Sequence, residues 1–435
     1  LPHMEDDVLL HGIYISHLEH ADDVLLVATT PEGLQIKIDL FYRWCRENLM
    51  VINALKTHIC IHGPRPRLQP QFSVSDAPIA VVTEYVYLGV KFQSDARNLF
   101  KSHYEEKAAK ARRAAHGVLH IESMIGSLPP WEGRILYMGR VDPHLIQGCE
   151  ISPDVDDDLF EELYSVQKAF IRRILGVHKR SPVAPLHTES GLVPLKFRRL
   201  ELALRFLDYL RLWPRSSYAS AAYHDAVELS KTGHKGWLMD IVYVAQALGL
   251  KLQLRDLWDL DAKGVELLQW RLQHGLKSTL DEAIATGHKT YLLRGRLEPQ
   301  SNGTLKHETI CLRHYLHVPT LAHRRSLTRI LFGCHLLAVE RLAWSERYRR
   351  EVPHDERLCR FCRRAVESPE HAMFRCVDSP ELLVARTKYL ASIYTTRPEI
   401  RRAAAYQDAA EYLRLLISDK ETISLTAAFA HEVLK

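Results

Sequence analysis

Two groups of residues in this 435-residue chain have the types and the spacing to do chemistry. The first is Cys359-Arg360-Phe361-Cys362, followed after eight residues by His371 and after four more by Cys376. Zn²⁺ takes four nitrogen or sulfur ligands in a tetrahedron, and a C-x2-C turn brings two thiolates to one ion. Three thiolates and one imidazole fill that sphere, so the pattern predicts a closed, structural zinc site with no open place for a reacting water. Ser368 is suited to cap, and Pro369 to start, a helix with His371 in its first turn and Cys376 further along. The competing reading is a pair of buried cysteines beside a surface histidine. Cys311 and Cys334 share no such pattern and are expected to be core thiols.

The second group is His20-Ala21-Asp22-Asp23. Adjacent carboxylates on a tight turn repel each other unless a cation faces them, and a divalent ion such as Mg²⁺, working on phosphates, is the natural partner. The tripeptide alone also reads as a solvated acidic turn, since Asp6-Asp7 and Asp156-Asp157-Asp158 repeat the pairing elsewhere. Acids at 154–158 open a helix and complement its dipole.

Cations form the third signal. Between Arg313 and Arg364, twelve arginines face five acids, leaving plus seven, and arginine throughout favours bidentate phosphate contacts. Arg357, Arg360, Arg363, Arg364 and Arg375 surround the cysteine cluster, with Phe361 offering a face for base stacking. Along a helix from Phe100 to Ile121, Lys101, Lys107, Lys110, Arg112 and Arg113 outweigh Glu105 and Glu106, and a further basic segment runs through Arg172, Arg173, Lys179, Arg180, Lys196, Arg198 and Arg199. Such groups either neutralise phosphates, making binding steeply salt-dependent, or form a solvated rim.

These groups need elements to hold them. Residues 12–16 and 24–28 read as strands, with 17–23 as the turn carrying the acids. Thr30 caps and Pro31 starts an amphipathic helix whose Leu34, Ile38, Phe41, Tyr42, Cys45 and Leu49 share a face. Strands are expected at 57–61 and 85–92, and the proline-rich 63–71 segment is a loop. From Phe100 onward the period is helical, through 104–125, 131–138, 156–175 and 194–213, then 218–300 with breaks near Gly233, Gly249 and Gly287. The fold class is therefore α+β: a small mixed unit at 1–93, a helical region at 94–213, a helical linker region at 214–310, and a basic helical region at 311–435 holding the cysteine cluster.

Length alone suggests about three domains. With 46% hydrophobic and 26% charged residues the chain has ordinary globular composition, and a net charge of +5 names no partner by itself. No run approaches a membrane span, and the acidic LPHMEDDVLL start is unlike a signal peptide. With eight cysteines crowded only near 359–376, these features predict an intracellular chain, nuclear or cytoplasmic, with no membrane partner. It opens on Leu1, in what reads as the middle of a domain, so a fragment is expected.

The order of these pieces resembles the reverse transcriptases of non-LTR (LINE-type) retrotransposons. The acidic hairpin, the amphipathic helix, Asn53-Ala54-Leu55-Lys56-Thr57, then Tyr85-Val86-Tyr87-Leu88-Gly89-Val90 and a basic helix look like that family's successive palm motifs and thumb, with His20 where an aromatic is usual. Arg140-Val141-Asp142-Pro143-His144-Leu145 and Arg172-Arg173-Ile174-Leu175-Gly176-Val177 look like its later segments, and the cysteine cluster like its C-terminal zinc knuckle.

The resemblance implies RNA-directed DNA polymerisation with Mg²⁺, and RNA and DNA as partners. It also implies Asp22 and Asp23 at the metal site, Lys56 near the incoming phosphates, and Tyr87-Leu88-Gly89 gripping the primer end. Two-metal phosphoryl transfer needs carboxylates from separate strands. The nineteen residues before His20 are too few for the upstream strand, helix and fingers of that family. The chain is thus expected not to polymerise alone, its missing N-terminal portion lying upstream, and Glu5, Asp6 and Asp7 are expected to be solvated. The alternatives are a non-catalytic nucleic-acid-binding derivative and a zinc-stapled protein-interaction scaffold.

Overall fold

The computed structural model describes residues 1–64, 67–403 and 408–435. Part of the expected 63–71 loop, Arg65 and Pro66, lies outside the described residues. The chain is α+β, with small sheets at the N-terminal end and a mostly helical remainder. It divides into two compact units. One comprises 1–110, 145–163 and 196–272; the other comprises 111–144, 164–195 and 273–435.

In the first unit the chain opens with two hairpins. Strands β1 (Val8–Leu10) and β2 (Ile13–Ile15) pair antiparallel, and β3 (His17–His20) pairs with β4 (Asp23–Leu26) in the register His17↔Leu26 through His20↔Asp23. The expected 17–23 turn is thus much shorter: only Ala21 and Asp22 turn, and His17–His20 is a strand of its own. Polar His17, Glu19 and His20 hid it, because one side of this ribbon faces solvent.

Helix α1 (Pro31–Glu47) begins as its sequence dictates. The Thr30 hydroxyl accepts the Gly33 N–H at 3.1 Å, and Pro31 occupies a first-turn position where no donor is needed. Its apolar face covers a three-stranded sheet of β5 (His58–Cys60), β6 (Phe72–Val74) and β7 (Ala77–Val82), ordered β5-β7-β6. Ile38, Ile59, Phe72, Val74 and Ile79 form the buried cluster, with Leu26 of β4 and Leu34 and Tyr42 of α1 packed against it. Strands β6 and β7 were not legible in the sequence, because β6 is only three residues long and Ser75 and Asp76 turn it straight into β7. Ser75 and Asp76 both take positive φ there.

Strands β8 (Glu84–Tyr87) and β9 (Val90–Gln93) make a hairpin turned by Leu88 (φ +47°) and Gly89 (φ +81°). Positive φ at both turn residues matches the right-handed strand twist, and is costly for leucine. Helix α2 (Lys101–His120) follows. Its Tyr104 hydroxyl donates to Asp154 at 2.7 Å, and the buried Arg199 guanidinium grips both Asp154 oxygens at 2.9 and 3.0 Å.

The second unit is helical. Leu128, Tyr137, Phe170, Leu175 and Leu186 are fully buried there, and the 321–331 helix packs on the 423–434 helix. In the first unit's helical 196–272 stretch, the glycine breaks fall where the sequence puts them, with Gly233 and Gly249 both at φ +80°. The short 338–341 helix and a 3₁₀ turn at 354–356 lead into the cysteine cluster.

Candidate metal centre and acidic hairpin

Cys359, Cys362, His371 and Cys376 converge, their ligand atoms all within 4.8 Å of one another. A tetrahedral zinc with Zn–S near 2.3 Å sets sulfurs about 3.8 Å apart and sulfur and nitrogen about 3.5 Å apart. Cys359 Sγ lies 3.8 Å from Cys376 Sγ, and Cys362 Sγ lies 3.4 Å from His371 Nε2. The donor set and its spacing fit a metal such as zinc.

The local backbone explains the convergence. The Cys359 N–H donates to the Ala365 carbonyl at 2.8 Å, and the Arg363 N–H returns to Cys359 O at 3.0 Å, with Arg363 at φ +51°. This tight loop aims the N–H groups of Arg364 and Ala365 at the Cys362 sulfur, which lowers its pKa. Burial pushes the Cys359 thiol up to about 11, against bonds from Cys362 and Phe361 N–H. Burial also lowers His371, keeping the imidazole in the neutral form that ligates.

The second half departs from the expected α-helix. Ser368 Oγ does accept the His371 N–H at 3.2 Å, but residues 371–375 form a π-turn closed by Cys376 N–H to His371 O at 2.8 Å. In an α-helix, residues five apart point about 140° away from each other. Widening the turn to a five-residue step brings His371 and Cys376 to the same side.

A residue the sequence reading missed holds this turn. Buried Arg386, on the 380–396 helix, donates to the carbonyls of Met373 at 2.6 Å, Cys376 at 2.8 Å and Ala372 at 3.2 Å. Three thiolates and one divalent ion carry net negative charge, so a guanidinium against the Cys376 carbonyl also balances the site. Arg386 lies ten residues beyond the last ligand, with no spacing signal to mark it.

The arginines around the cluster divide. Arg360 pairs with Glu367 at 3.0 Å, donates to the Val433 carbonyl and lies over the Phe361 ring at 4.9 Å. Arg364 pairs with Asp378, and Arg357 donates to Val352 and Val339 carbonyls. Arg363 and Phe361 are exposed. Three arginines counted as surface cations are instead buried: Arg313 on Glu189 at 3.2 Å, Arg324 on the Val318 carbonyl at 2.6 Å, and Arg199 on Asp154. Alternation cannot reveal this, because a buried arginine and a solvated one look alike in sequence.

Asp22 and Asp23 sit at the tip of the β3–β4 ribbon, both exposed, with Ala21 at φ +54°. Tyr87, at the end of β8, is raised in pKa by burial and, to a lesser extent, by the Asp23 carboxylate within electrostatic reach of it. The His58 and Tyr85 rings, 5.8 Å apart, join β5 to β8 alongside. Lys56 is exposed in the turn before β5. Leu88 is half exposed at the hairpin apex.

Of the α2 cations, Lys107 is buried: its ammonium donates to the Gly89 carbonyl at 3.0 Å and to Gln147 Oε1 at 2.9 Å. It therefore fixes the Leu88-Gly89 turn rather than facing solvent. Lys110 pairs with Glu106, Lys101 lies 3.9 Å from Glu105, and Arg112 and Arg113 are exposed.

Of the N-terminal acids expected to be solvated, Glu5 is exposed, but Asp6 and Asp7 are engaged in the fold. Asp7 pairs at 2.7 Å with Lys37 of α1, whose side chain is wholly buried, and Lys37 also donates to the Val27 carbonyl at 2.7 Å. Burial raises the Asp7 carboxyl, but Lys37, the Met4 N–H and His3 outweigh it and hold it far below the ordinary carboxylate range. Asp6 accepts the Thr30 hydroxyl at 2.6 Å.

No helix among the described residues is long and apolar enough to cross a membrane. No protein-family model matches the chain, and no curated protein matches it.

Proposed function

We propose that the chain is the C-terminal part of a LINE-type reverse transcriptase, keeping the acidic hairpin and nucleic-acid-handling parts but unable to polymerise DNA alone. The observation that carries this reading is the acidic hairpin itself, Asp22-Asp23 on a ribbon packed through Leu26 against α1, with Tyr87 of the second hairpin within electrostatic reach of Asp23. A polymerase needs that juxtaposition of metal-binding acids and a turn that holds the primer end. Bound Mg²⁺ would neutralise charge on the phosphates in transfer. Asp22 and Asp23 are the residues to hold it, and Lys56 is a cation for the nucleotide's phosphates.

Of the N-terminal acids, two are already engaged and so do not offer the second strand's carboxylate. Asp7 is committed to Lys37 and Asp6 to Thr30, so neither supplies it. Purified 1–435 should therefore bind RNA and DNA with affinity that falls steeply with salt, yet extend no primer on an RNA template in Mg²⁺. Mg²⁺-dependent extension abolished by Asp22→Asn overturns the inactivity. Salt-indifferent behaviour without nucleic-acid binding overturns the whole reading.

One observation favours the scaffold alternative for the zinc module itself. Arg360 and Arg364 are spent on Glu367, Val433 and Asp378, so the cluster there fastens the C-terminal helices more than it displays charge.

A further inference from the structure

Three segments far apart in sequence meet on one face of the second unit. The Arg329 guanidinium donates to the Gly176 carbonyl at 3.1 Å, tying the 321–331 helix to the loop after Leu175. Arg180 from that loop lies over the Trp344 ring at 4.7 Å, and Lys289 lies over the same ring at 4.7 Å. The Trp344 ring, though exposed, is thus already occupied by two cations.

Just beyond it the chain makes a minimal hairpin. Glu346 N–H donates to Arg349 O at 2.7 Å and Arg349 N–H to Glu346 O at 3.2 Å, and their side chains pair at 3.1 Å. Arg349 also donates to the Arg341 carbonyl at 2.9 Å, and Val352 N–H to the Leu342 carbonyl at 3.0 Å, which fixes the hairpin on the 338–341 helix. Its two tip residues are Arg347 and Tyr348. Tyr348 is 88% exposed, its only described partner being Arg347, 5.2 Å over its ring. A large aromatic set on a braced tip and left in water contributes nothing to the fold.

Lys179, Arg180, Arg329, Arg341, Arg347 and Arg350 are all exposed, and among the described residues none of them pairs with a carboxylate. Of the five acids from Glu340 to Glu356, Glu340 and Glu346 are taken by Lys289 and Arg349, leaving Glu351, Asp355 and Glu356 against the six cations. The geometry points to a single-stranded nucleic-acid site, in which a base stacks on the Tyr348 ring while these cations hold the flanking phosphates. A braced aromatic within a basic surface suits unpaired bases, whose faces are open; a duplex hides them. This rests on the proposed nucleic-acid-handling role and adds the form of nucleic acid and the residues that read it.

The test is equilibrium binding of the full chain, zinc-loaded, to a fluorescent single-stranded RNA of about 20 nucleotides and to the matching duplex, between 50 and 200 mM KCl. Tyr348→Ala should weaken the single strand about tenfold and leave the duplex nearly unchanged, with Tyr348→Phe retaining wild-type affinity. Arg347→Gln with Arg350→Gln should lower the single-strand salt slope by about 1.4. Wild-type binding that all these variants leave unaltered overturns this site while the broader reading stands. A wild type that binds neither nucleic acid overturns both.

Discussion

Replacing Asp7 by Asn should loosen the whole N-terminal α/β unit. The Asp7 and Lys37 side chains are 2% and 0% exposed, and their 2.7 Å pair joins the start of the chain to α1, while Lys37 reaches on to Val27 at the end of β4. Removing one partner of a buried pair costs about 3–5 kcal/mol, because the other charge stays buried and uncompensated. This pair lies under a thin cover close to the surface, so about 3 kcal/mol is expected, roughly a hundredfold rise in local opening. Hydrogen exchange read by mass spectrometry on peptides of α1 and β3–β4 reports it directly.

The control is Asp7→Leu with Lys37→Met, which removes both charges and should return protection to within about 1 kcal/mol of wild type. A pH arm carries the same sign. Asp7's folded pKa lies below its unfolded one, so its contribution is full above the ordinary carboxylate value and is lost as pH falls through the acid range. The Asn variant should lack that slope. If Asp7→Asn changes exchange by less than about 1 kcal/mol, or the double variant is as loose as the sum of its parts, the N-terminal acids are peripheral and the argument fails.

Metal analysis should find one zinc per chain. Cys376→Ser should abolish it, and binding should tighten as pH rises, because the Cys359 thiol must lose a proton that burial holds up to about 11. Arg386→Met should weaken zinc retention about ten- to a hundredfold in a chelator competition although it touches no metal, and an unchanged rate refutes its positioning role. His187 and His335 are buried, and their pKa values are lowered to about 4 and about 3. Below their unfolded value near 6.5 only the unfolded state takes their protons. Urea unfolding followed by circular dichroism should therefore show stability falling on the order of 2–4 kcal/mol from pH 6.5 to 5 and level above it. Lys107→Met should speed exchange in 84–93 about tenfold with little change in nucleic-acid affinity, whereas Arg112→Gln with Arg113→Gln should lower the salt slope and leave that exchange alone.

What the sequence showed depended on whether a side chain's role follows from its neighbours along the chain. The four cluster residues are close in sequence and few residue types can do the work, so their convergence on a possible metal site was readable, as was the α1 start from Thr30 and Pro31. The acid pair could be placed on a hairpin, but not its true turn length, because β3 spells polar residues on its solvent side. Lys107, Lys37, Arg199 and Arg386 failed for a shared reason: each reads as a surface cation, and its burial is set by a partner 10 to 45 residues or more away. The meeting of Arg329 with Gly176 and of Arg180 with Trp344 was likewise invisible until distant segments were brought together.

The π-turn at 371–375 sets which chain lengths the metal site tolerates. It is an α-helical turn with one residue added, the excess bulging within the ligand step. Shortening the stretch between His371 and Cys376 by one residue would restore an ordinary helical turn with both ligands four apart and still nearly aligned. Lengthening it by one would match neither form and swing the sulfur away. Single-codon deletions there should be survivable and single-codon insertions not, so this centre can lose a residue but cannot gain one.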